Sequence, residues 1–498
     1  MSGLKVYCAT LGCDKNLVDS EALLGRFALQ GVRAVNDLDD ADIWVLNSCG
    51  FIDSARADSE ETLQALIDYK TSQILVVCGC WSQEHGEEIQ ERFPGVDVVA
   101  GVGQFDKVVA ACLGKPAENA QPAAPEAPAF PMAGKPIISD PMDADYSGMM
   151  DRPLLTPGHL AFVKIGEGCN CNCTFCRIPM IRGRQMSRPI NELVREVQGL
   201  AQRGVTEIQL VSQNTSDFGR DTGENLLELV KALNDVDGLR SIRLLYLYSG
   251  LVSTDDLLRL LDNGKVARYL ELPIQHASPR ILKAMKRPGG SKASPEFFKT
   301  LRRHHPELVL RSTALLGFPG EEEEDLEILA DFLAEVEFDH LGTYRYSPEK
   351  GTPAAIMADQ VPPEVIFDRE AIIMDLQSDI AQRRQNTRLG KVYDVVVDKI
   401  IDPSHEDSAE IVEVLRSFDE AHWLNKNESR AAWKLVEESG PVAIGRSYHY
   451  GYDLDGVVLM PGRDLQPGQW LPAEFRAVSP YDTWALPSGG NQTREGKV

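Results

Sequence analysis

No stretch of this 498-residue chain approaches the ~18–20 uninterrupted apolar residues that a membrane-spanning helix needs. The residues from Met1 to Val6 lack the basic start and small-residue cleavage site of a secretory leader, so a cytoplasmic protein is expected. Positive charge is in deficit. Lys and Arg number 51 against 75 Asp and Glu, a formal net charge of −24. That balance argues against broad electrostatic binding of nucleic acid, which relies on Lys and Arg neutralising phosphates. It suits a basic protein as partner. Cysteine, by contrast, is plentiful, at positions 8, 13, 49, 78, 80, 112, 169, 171, 173 and 176. Without an export signal these do not read as a disulfide framework, and metal binding or catalysis is the better default.

The length allows two or three domains, and a hydrophobic content of 43% allows sizeable cores. Residues 1–114 alternate apolar strands (5–10, 43–47 and 74–78) with helical patterns (20–30 and 54–69), which reads as an α/β domain with a parallel sheet. A linker is expected over 115–154, where residues 115–136 are rich in Pro and Ala. Residues 155–386 repeat strand then helix, with strands near 161–165, 207–211, 242–247, 269–274, 309–315 and 342–346 and helices such as 191–203 and 321–336. Six such units suggest an open (β/α)6 barrel. Residues 387–487 are strand-rich (393–397, 456–460 and 474–478) and fit a small β-barrel. A polar, partly helical insertion at 402–441 interrupts it, and the tail 488–498 is expected to be disordered.

Cys169, Cys173 and Cys176 have the spacing C-x3-C-x2-C. Thiolates are soft ligands suited to iron–sulfur clusters. Three in one tight loop can hold three irons of a four-iron cluster and leave the fourth open. Gly166 and Gly168 allow the backbone to wrap closely, and the loop follows the first barrel strand, at the face where barrel active sites sit. A structural zinc loop is the competing reading. It needs a fourth ligand and usually a second C-x2-C pair, and neither is evident. Cys171, between the ligands, is expected to point away.

Cys13, Cys49 and Cys80 lie far apart in sequence, yet each follows the end of an expected parallel strand. Adjacent parallel strands deliver their C-terminal ends to one sheet edge, where ligands usually bind. The three could therefore converge, with Gly12, Gly50 and Gly79 permitting close approach. Three separate buried cysteines are the alternative. Cys8, Cys78 and Cys112 are accounted for by packing. Cys78 shares a strand face with Cys80 and competes with it, but Cys80, beyond the strand, is preferred.

The run from Glu167-Gly168-Cys169-Asn170 to Cys176-Arg177-Ile178-Pro179, followed by Arg182-Gly183 and Ser187-Arg188-Pro189, resembles the methylthiotransferases of the radical S-adenosylmethionine (SAM) superfamily. Leu11-Gly12-Cys13-Asp14-Lys15-Asn16, Ser212-Gln213-Asn214-Thr215-Ser216, Pro273-Ile274-Gln275-His276-Ala277-Ser278-Pro279-Arg280 and Met285-Lys286-Arg287-Pro288-Gly289 resemble the RimO branch in particular. Two departures stand out: Asp14 occupies a position where that branch usually has proline, and the 402–441 insertion is unusual. The resemblance implies an N-terminal domain with three cluster cysteines, a radical SAM barrel and a C-terminal TRAM barrel.

It further implies two [4Fe-4S] clusters, one on Cys169, Cys173 and Cys176 that binds SAM and one on Cys13, Cys49 and Cys80. The reaction would be radical abstraction of hydrogen from the β-carbon of an aspartate in ribosomal protein uS12, followed by insertion of a methylated sulfur. A reductant would supply electrons and a second SAM the methyl group. The implied partner is a ribosomal protein, with no membrane and no tRNA. Two alternatives are a tRNA methylthiotransferase and a non-catalytic iron–sulfur electron-transfer protein. A tRNA enzyme should carry a basic third domain, whereas residues 388–498 hold 12 Lys and Arg against 18 Asp and Glu.

Weaker candidates complete the reading. The Gly317-Phe318-Pro319-Gly320-Glu321 turn is expected either to let SAM approach the backbone or simply to start a helix capped by Glu321. Arg311, Gln213 and His276 sit near strand ends and could touch SAM or substrate. Tyr450, Tyr452 and Trp484 could form an aromatic docking surface, with barrel packing as the alternative.

Overall fold

The computed structural model describes residues 3–114, 135–144, 146, 149, 152–287, 292–402, 422–423 and 440–488. Most of the expected linker, most of the 402–441 insertion, residues 489–498 of the tail, and Pro288 and Gly289 lie outside the described residues.

Strands β1 (Lys5–Thr10), β2 (Arg33–Ala34), β3 (Ile43–Ser48), β4 (Ile74–Gly79) and β5 (Val98–Val99) form a parallel sheet in the order β2-β1-β3-β4-β5. Helices α1 (Asp14–Leu29), α2 (Asp53–Tyr69), α3 (Cys80–Arg92) and α4 (Phe105–Leu113) complete this α/β unit. Every residue of β3 is buried, as a central strand covered on both faces requires. Its alternate side chains feed two cores: Ile43 and Val45 pack with Val18 and Phe27 of α1, while Trp44 and Leu46 pack with Leu63 of α2 and Trp81 of α3.

Strand β6 (Leu160–Lys164) opens the second unit. A two-strand ribbon of β7 (Gly166–Glu167) and β8 (Met186–Ser187) then brackets the cysteine loop and the short helix α5 (Ile178–Ile181). Strands β9 (Glu207–Val211), β10 (Ser241–Leu244), β11 (Val266–Glu271), β12 (Val309–Leu316) and β13 (His340–Arg345) follow, giving a six-stranded parallel sheet ordered β6-β9-β10-β11-β12-β13. Between them run α6 (Ile190–Gln202), α7 (Leu226–Asn234), α8 (Thr254–Leu261), α9 (Pro279–Ala284), α10 (Pro295–His304) and α11 (Glu323–Val336). Their apolar stripes, such as Leu193, Val197 and Leu200 of α6, bury against the sheet in one large core. Helix α12 (Pro363–Asn386) packs across α11 and β13.

Two strands end earlier than the apolar pattern suggests. β10 stops at Leu244 rather than 247 because Tyr246 adopts φ +58°, which an extended strand cannot continue. β11 stops at Glu271 rather than 274, and Gln275 takes φ +67°. Both residues lie just past the C-terminal ends of their strands, where strained backbone often accompanies function.

The third unit contains β14 (Val392–Ile401), β15 (His422–Trp423), β16 (Val442–Arg446), β17 (Val458–Pro461), β18 (Trp470–Val478) and β19 (Thr483–Pro487). Five of them run β14-β16-β17-β19-β18, and β14 pairs again with β18, closing a five-stranded barrel; β15 adds to the edge of β18. Strands β16 and β19 were not anticipated. All five residues of β16 are buried, ending in Arg446, so it lacks the alternation that marks a half-buried strand.

The flanking units engage opposite ends of the barrel strands. Lys164, the last residue of β6, pairs with Asp19 of α1. Glu207, the first residue of β9, takes a bidentate pair from Arg446 at 3.0 Å through each terminal nitrogen, and Arg446 also pairs with Asp398 at 2.7 Å. Both partners of these pairs are buried, and each charge is matched by its neighbour.

Candidate functional site

The N-terminal cysteines sit where three adjacent parallel strands end. Cys13 follows β1 and is the N-cap of α1, Cys49 immediately follows β3, and Cys80 opens α3 directly after β4. Gly12 makes this approach possible. Its φ is +89°, and a Cβ there would stand 2.9 Å from both Cβ and Sγ of Cys49. Burial pushes the Cys80 thiol up to about 12; the Arg182 guanidinium acts against this, and the neighbouring Cys13 and Cys49 add to the rise. Burial likewise raises Cys49, with Cys13 adding to it. Cys13 and Cys49 thus both bear on the Cys80 thiol. Cys78 instead lies in a hydrophobic core, with Val76 and Val108.

The second set occupies a single loop between β7 and α5. Gly168, at φ +74°, passes so near the Arg184 carbonyl that a Cβ would lie 2.1 Å from its oxygen. The backbone N–H of Cys171 donates to Cys169 Sγ at 3.4 Å, and that of Ile178 donates to Cys176 Sγ at 3.4 Å. Arg287 reaches Cys173 Sγ at 3.6 Å. Donation from Cys171 holds the Cys169 thiol below its ordinary value, while burial pushes Cys176 up to about 12. Cys171 Sγ lies 3.5 Å from Asn214 Nδ2, on a cavity of about 550 Å³ that Asp217, Tyr248, Lys286 and Arg287 also line.

Both donor sets fit iron–sulfur chemistry. Each supplies three thiols, and N–H groups already point at sulfurs in the way that tunes such clusters. Among the described residues, no three Cys, His, Asp or Glu side chains converge on a point where one ion could be held.

A buried polar network joins the two sets. Arg182, six residues past Cys176, donates to Cys80 Sγ from Nε at 3.3 Å and Nη2 at 3.1 Å. Its Nη1 meets Asp19 at 2.7 Å and Glu167 at 2.9 Å, and Nη2 also donates to Asn16. Lys164 pairs with the same Asp19 and Glu167. Burial alone would raise Glu167, but Arg182 and Lys164 overcome it and hold its carboxyl at about 2. A second clasp lies close by. Arg177, next to Cys176, pairs with Glu84 of α3 at 2.7 Å, and Glu349 accepts from Arg56 of α2 at 2.8 Å and from the Asp53 backbone N–H at 2.9 Å.

The other sequence candidates divide. Gln213 donates to Glu167 beside the cysteine loop, joining this network. Arg311 does not reach the site: it pairs with Glu271 at 2.8 Å and with Asp455 of the third unit at 3.1 Å. His276 is fully buried, and its Nδ1 accepts the Ala277 and Ser278 backbone N–H groups at 3.0 Å, organising the start of α9. Glu321 does not cap α11; Glu322 and Asp325 form that capping box, while Glu321 accepts from Gly317 N–H at 3.0 Å and Arg369 at 2.8 Å. Tyr450 and Trp484 are buried, Tyr450 between Gln385 and Thr483, and Tyr452 packs on Phe162 of β6. Packing and domain docking, not an exposed aromatic surface, explain all three.

Sequence reasoning missed Arg182, Glu167, Lys164 and Asp19 as site residues. The available signal was a lysine ending the otherwise apolar strand Leu-Ala-Phe-Val-Lys, a charge that must be paired to be buried. Tyr246 was missed too. Its hydroxyl donates to Asp14 at 3.2 Å, and Lys15 Nζ sits 3.2 Å above its ring, so α1 rests on the barrel's strained β10 end.

Residues 163–333 match the family model for the radical SAM superfamily, and residues 5–101 match the one described as uncharacterized protein family UPF0004. The chain is similar to the ribosomal protein uS12 methylthiotransferase RimO of Symbiobacterium thermophilum, at 36% identity over 490 residues covering 96% of this chain and 90% of the relative. It is 40% identical over 483 residues to the RimO of Anaeromyxobacter sp. (strain K), covering 96% and 92%. Among solved structures, the radical SAM methyltransferase TsrM from Kitasatospora setae shares the fold, with a TM-score of 0.50 and 16% identity over 71% of this chain and 75% of that one. Membership of the radical SAM superfamily brings with it a [4Fe-4S] cluster and SAM.

Proposed function

Because the chain belongs to the RimO family of radical SAM methylthiotransferases, we propose that it adds a methylthio group to the β-carbon of an aspartate in ribosomal protein uS12. Three units serve this work: residues 1–114, the barrel 155–386 and the β-barrel 387–487, joined by a linker at 115–154. Cys169, Cys173 and Cys176 hold the SAM-binding cluster, and Cys13, Cys49 and Cys80 hold a second [4Fe-4S] cluster. When bound, these groups supply the electron that cleaves SAM and the sulfur to be transferred.

The chain's own residues do the rest. The N–H groups of Cys171 and Ile178, with Arg287, fix the sulfurs of the loop. Arg182, Asp19 and Glu167 bind the two cysteine sets into one unit. Asn170, Asp217 and Tyr248 border the cavity beside the loop and can orient SAM and substrate while excluding water. The observation that carries this reading is the pairing of two three-thiol sets, one on a loop and one at three strand ends, across a single buried network. The acidic balance of the chain suits a basic ribosomal protein and not tRNA. No helix among the described residues is long and apolar enough to cross a membrane, and we assign the enzyme to the cytoplasm, with a reductant as electron donor.

Mass spectrometry of uS12 and of bulk tRNA from a deletion strain tests the assignment. The expected result is loss of the methylthio mass from uS12 with tRNA unchanged. Loss of a tRNA modification, with uS12 intact, overturns the choice of substrate.

A further inference from the structure

Arg182 is 1% exposed and stands between the two cysteine sets. It forks onto the Cys80 sulfur through two nitrogens, at 3.1 and 3.3 Å, and the same guanidinium grips Asp19 and Glu167. Asn16 completes the fork, and its Oδ1 lies 3.6 Å from Cys80 Sγ. Glu167 precedes Gly168 and Cys169, so one side chain ties the sulfur of one set to the loop of the other.

The local charge count is balanced: Lys164 and Arg182 face Asp19 and Glu167. Neutralising Arg182 would leave one uncompensated carboxylate charge in a buried network against the Cys80 sulfur. A cluster on three thiolates is already anionic, and reduction adds another negative charge. Nearby positive charge and N–H donation to sulfur both favour the reduced form.

We propose that Arg182 is a positioning residue of the N-terminal site, holding the Cys80 sulfur in place and, by its charge, setting how readily a cluster bound there accepts an electron. This rests on the two-cluster reading above. In the barrel loop the corresponding arginine contact is weaker: Arg287 makes a longer, single contact with Cys173 at 3.6 Å and is only half-buried.

The test uses the full chain with Cys169→Ala, Cys173→Ala and Cys176→Ala together, so that only the N-terminal site can load. Iron and sulfide content and an EPR-monitored redox titration are measured for this parent, for Arg182→Met and for Arg182→Lys. The midpoint should shift to more negative potential in Arg182→Met and stay near the parent in Arg182→Lys, which keeps the charge. If Arg182→Met loads no cluster while Arg182→Lys does, the requirement for the cation is met in a stronger form. Met and Lys variants that share one midpoint, or lose iron equally, overturn the role of Arg182. A parent that binds no iron–sulfur cluster overturns the two-cluster reading itself, and this inference with it.

Discussion

The two cysteine sets reach a similar end by opposite routes. Cys169, Cys173 and Cys176 are neighbours in sequence, and their geometry is fixed locally by a β-ribbon, a left-handed glycine and two backbone N–H donors. Cys13, Cys49 and Cys80 are far apart in sequence and share one sheet edge only because β1, β3 and β4 lie side by side, parallel and in register. A local site survives disturbance elsewhere in the fold, whereas a distributed one depends on every strand end that builds it. In this chain the distributed set is also the one whose sulfur is gripped by a residue from the other unit.

The sharpest way to break this comparison is to delete one ligand from each set. Cys173→Ala should reduce 5′-deoxyadenosine formation from SAM and dithionite to background. Cys49→Ala should leave that product unchanged and abolish methylthiolation of uS12. Chromatography of the small-molecule product and mass spectrometry of uS12 read the two outcomes, and a Cys49→Ala protein that still modifies uS12 would contradict the division of labour.

Next in size is the clasp at Glu349. Glu349→Ala removes a buried carboxylate from the partly buried Arg56 and the buried Arg177, which keep Asp53 and Glu84 as partners, a loss of about 1.5–3 kcal/mol for hydrogen bonds to charged groups. Thermal unfolding of the apoprotein should show a clearly lower midpoint. The exposed pair of Arg383 and Glu337 is the control, and Glu337→Ala should change stability by no more than about 1 kcal/mol.

Gly12→Ala should act more selectively. An L-residue at φ +89° costs about 1–3 kcal/mol, and its Cβ would press on Cys49 Sγ. Iron loading at the N-terminal set should fall while the loop set still cleaves SAM. Equal loss at both would mean that the two sets are not separately built.

The smallest expected effect is on acid stability. Glu167 in the folded chain is held at about 2, below its ordinary 4.5. A depressed carboxyl contributes stability that is present above 4.5 and lost as pH falls toward 2. The apoprotein's melting temperature should therefore drop between pH 5 and 3, and Glu167→Gln should flatten that slope.

The same contrast governs what was legible in the sequence. The loop set announces itself through spacing alone, and β9 has the bounds its apolar pattern suggests, 207–211. The distributed set was readable only through its strand-end contexts, one cysteine after each of three apolar runs. Ion pairs between units left almost no trace. Arg311 and His276 looked like site residues because they lie near strand ends, but one is spent on Asp455 and the other on the start of α9. Arg182 appeared only within a run of family resemblance, since nothing in a linear pattern tells that an arginine will meet a cysteine 102 positions away. The end of β10 was overrun through Tyr246 because hydropathy does not encode a positive φ.

The central claim is that each set carries its own four-iron cluster, and iron analysis with Mössbauer spectroscopy of anaerobically reconstituted protein tests it most directly. Wild type should hold roughly eight irons per chain, and alanine replacement of either complete cysteine set should leave roughly four in a [4Fe-4S] signature. Wild type with only about four irons, or a chain that binds zinc in place of iron, would contradict it.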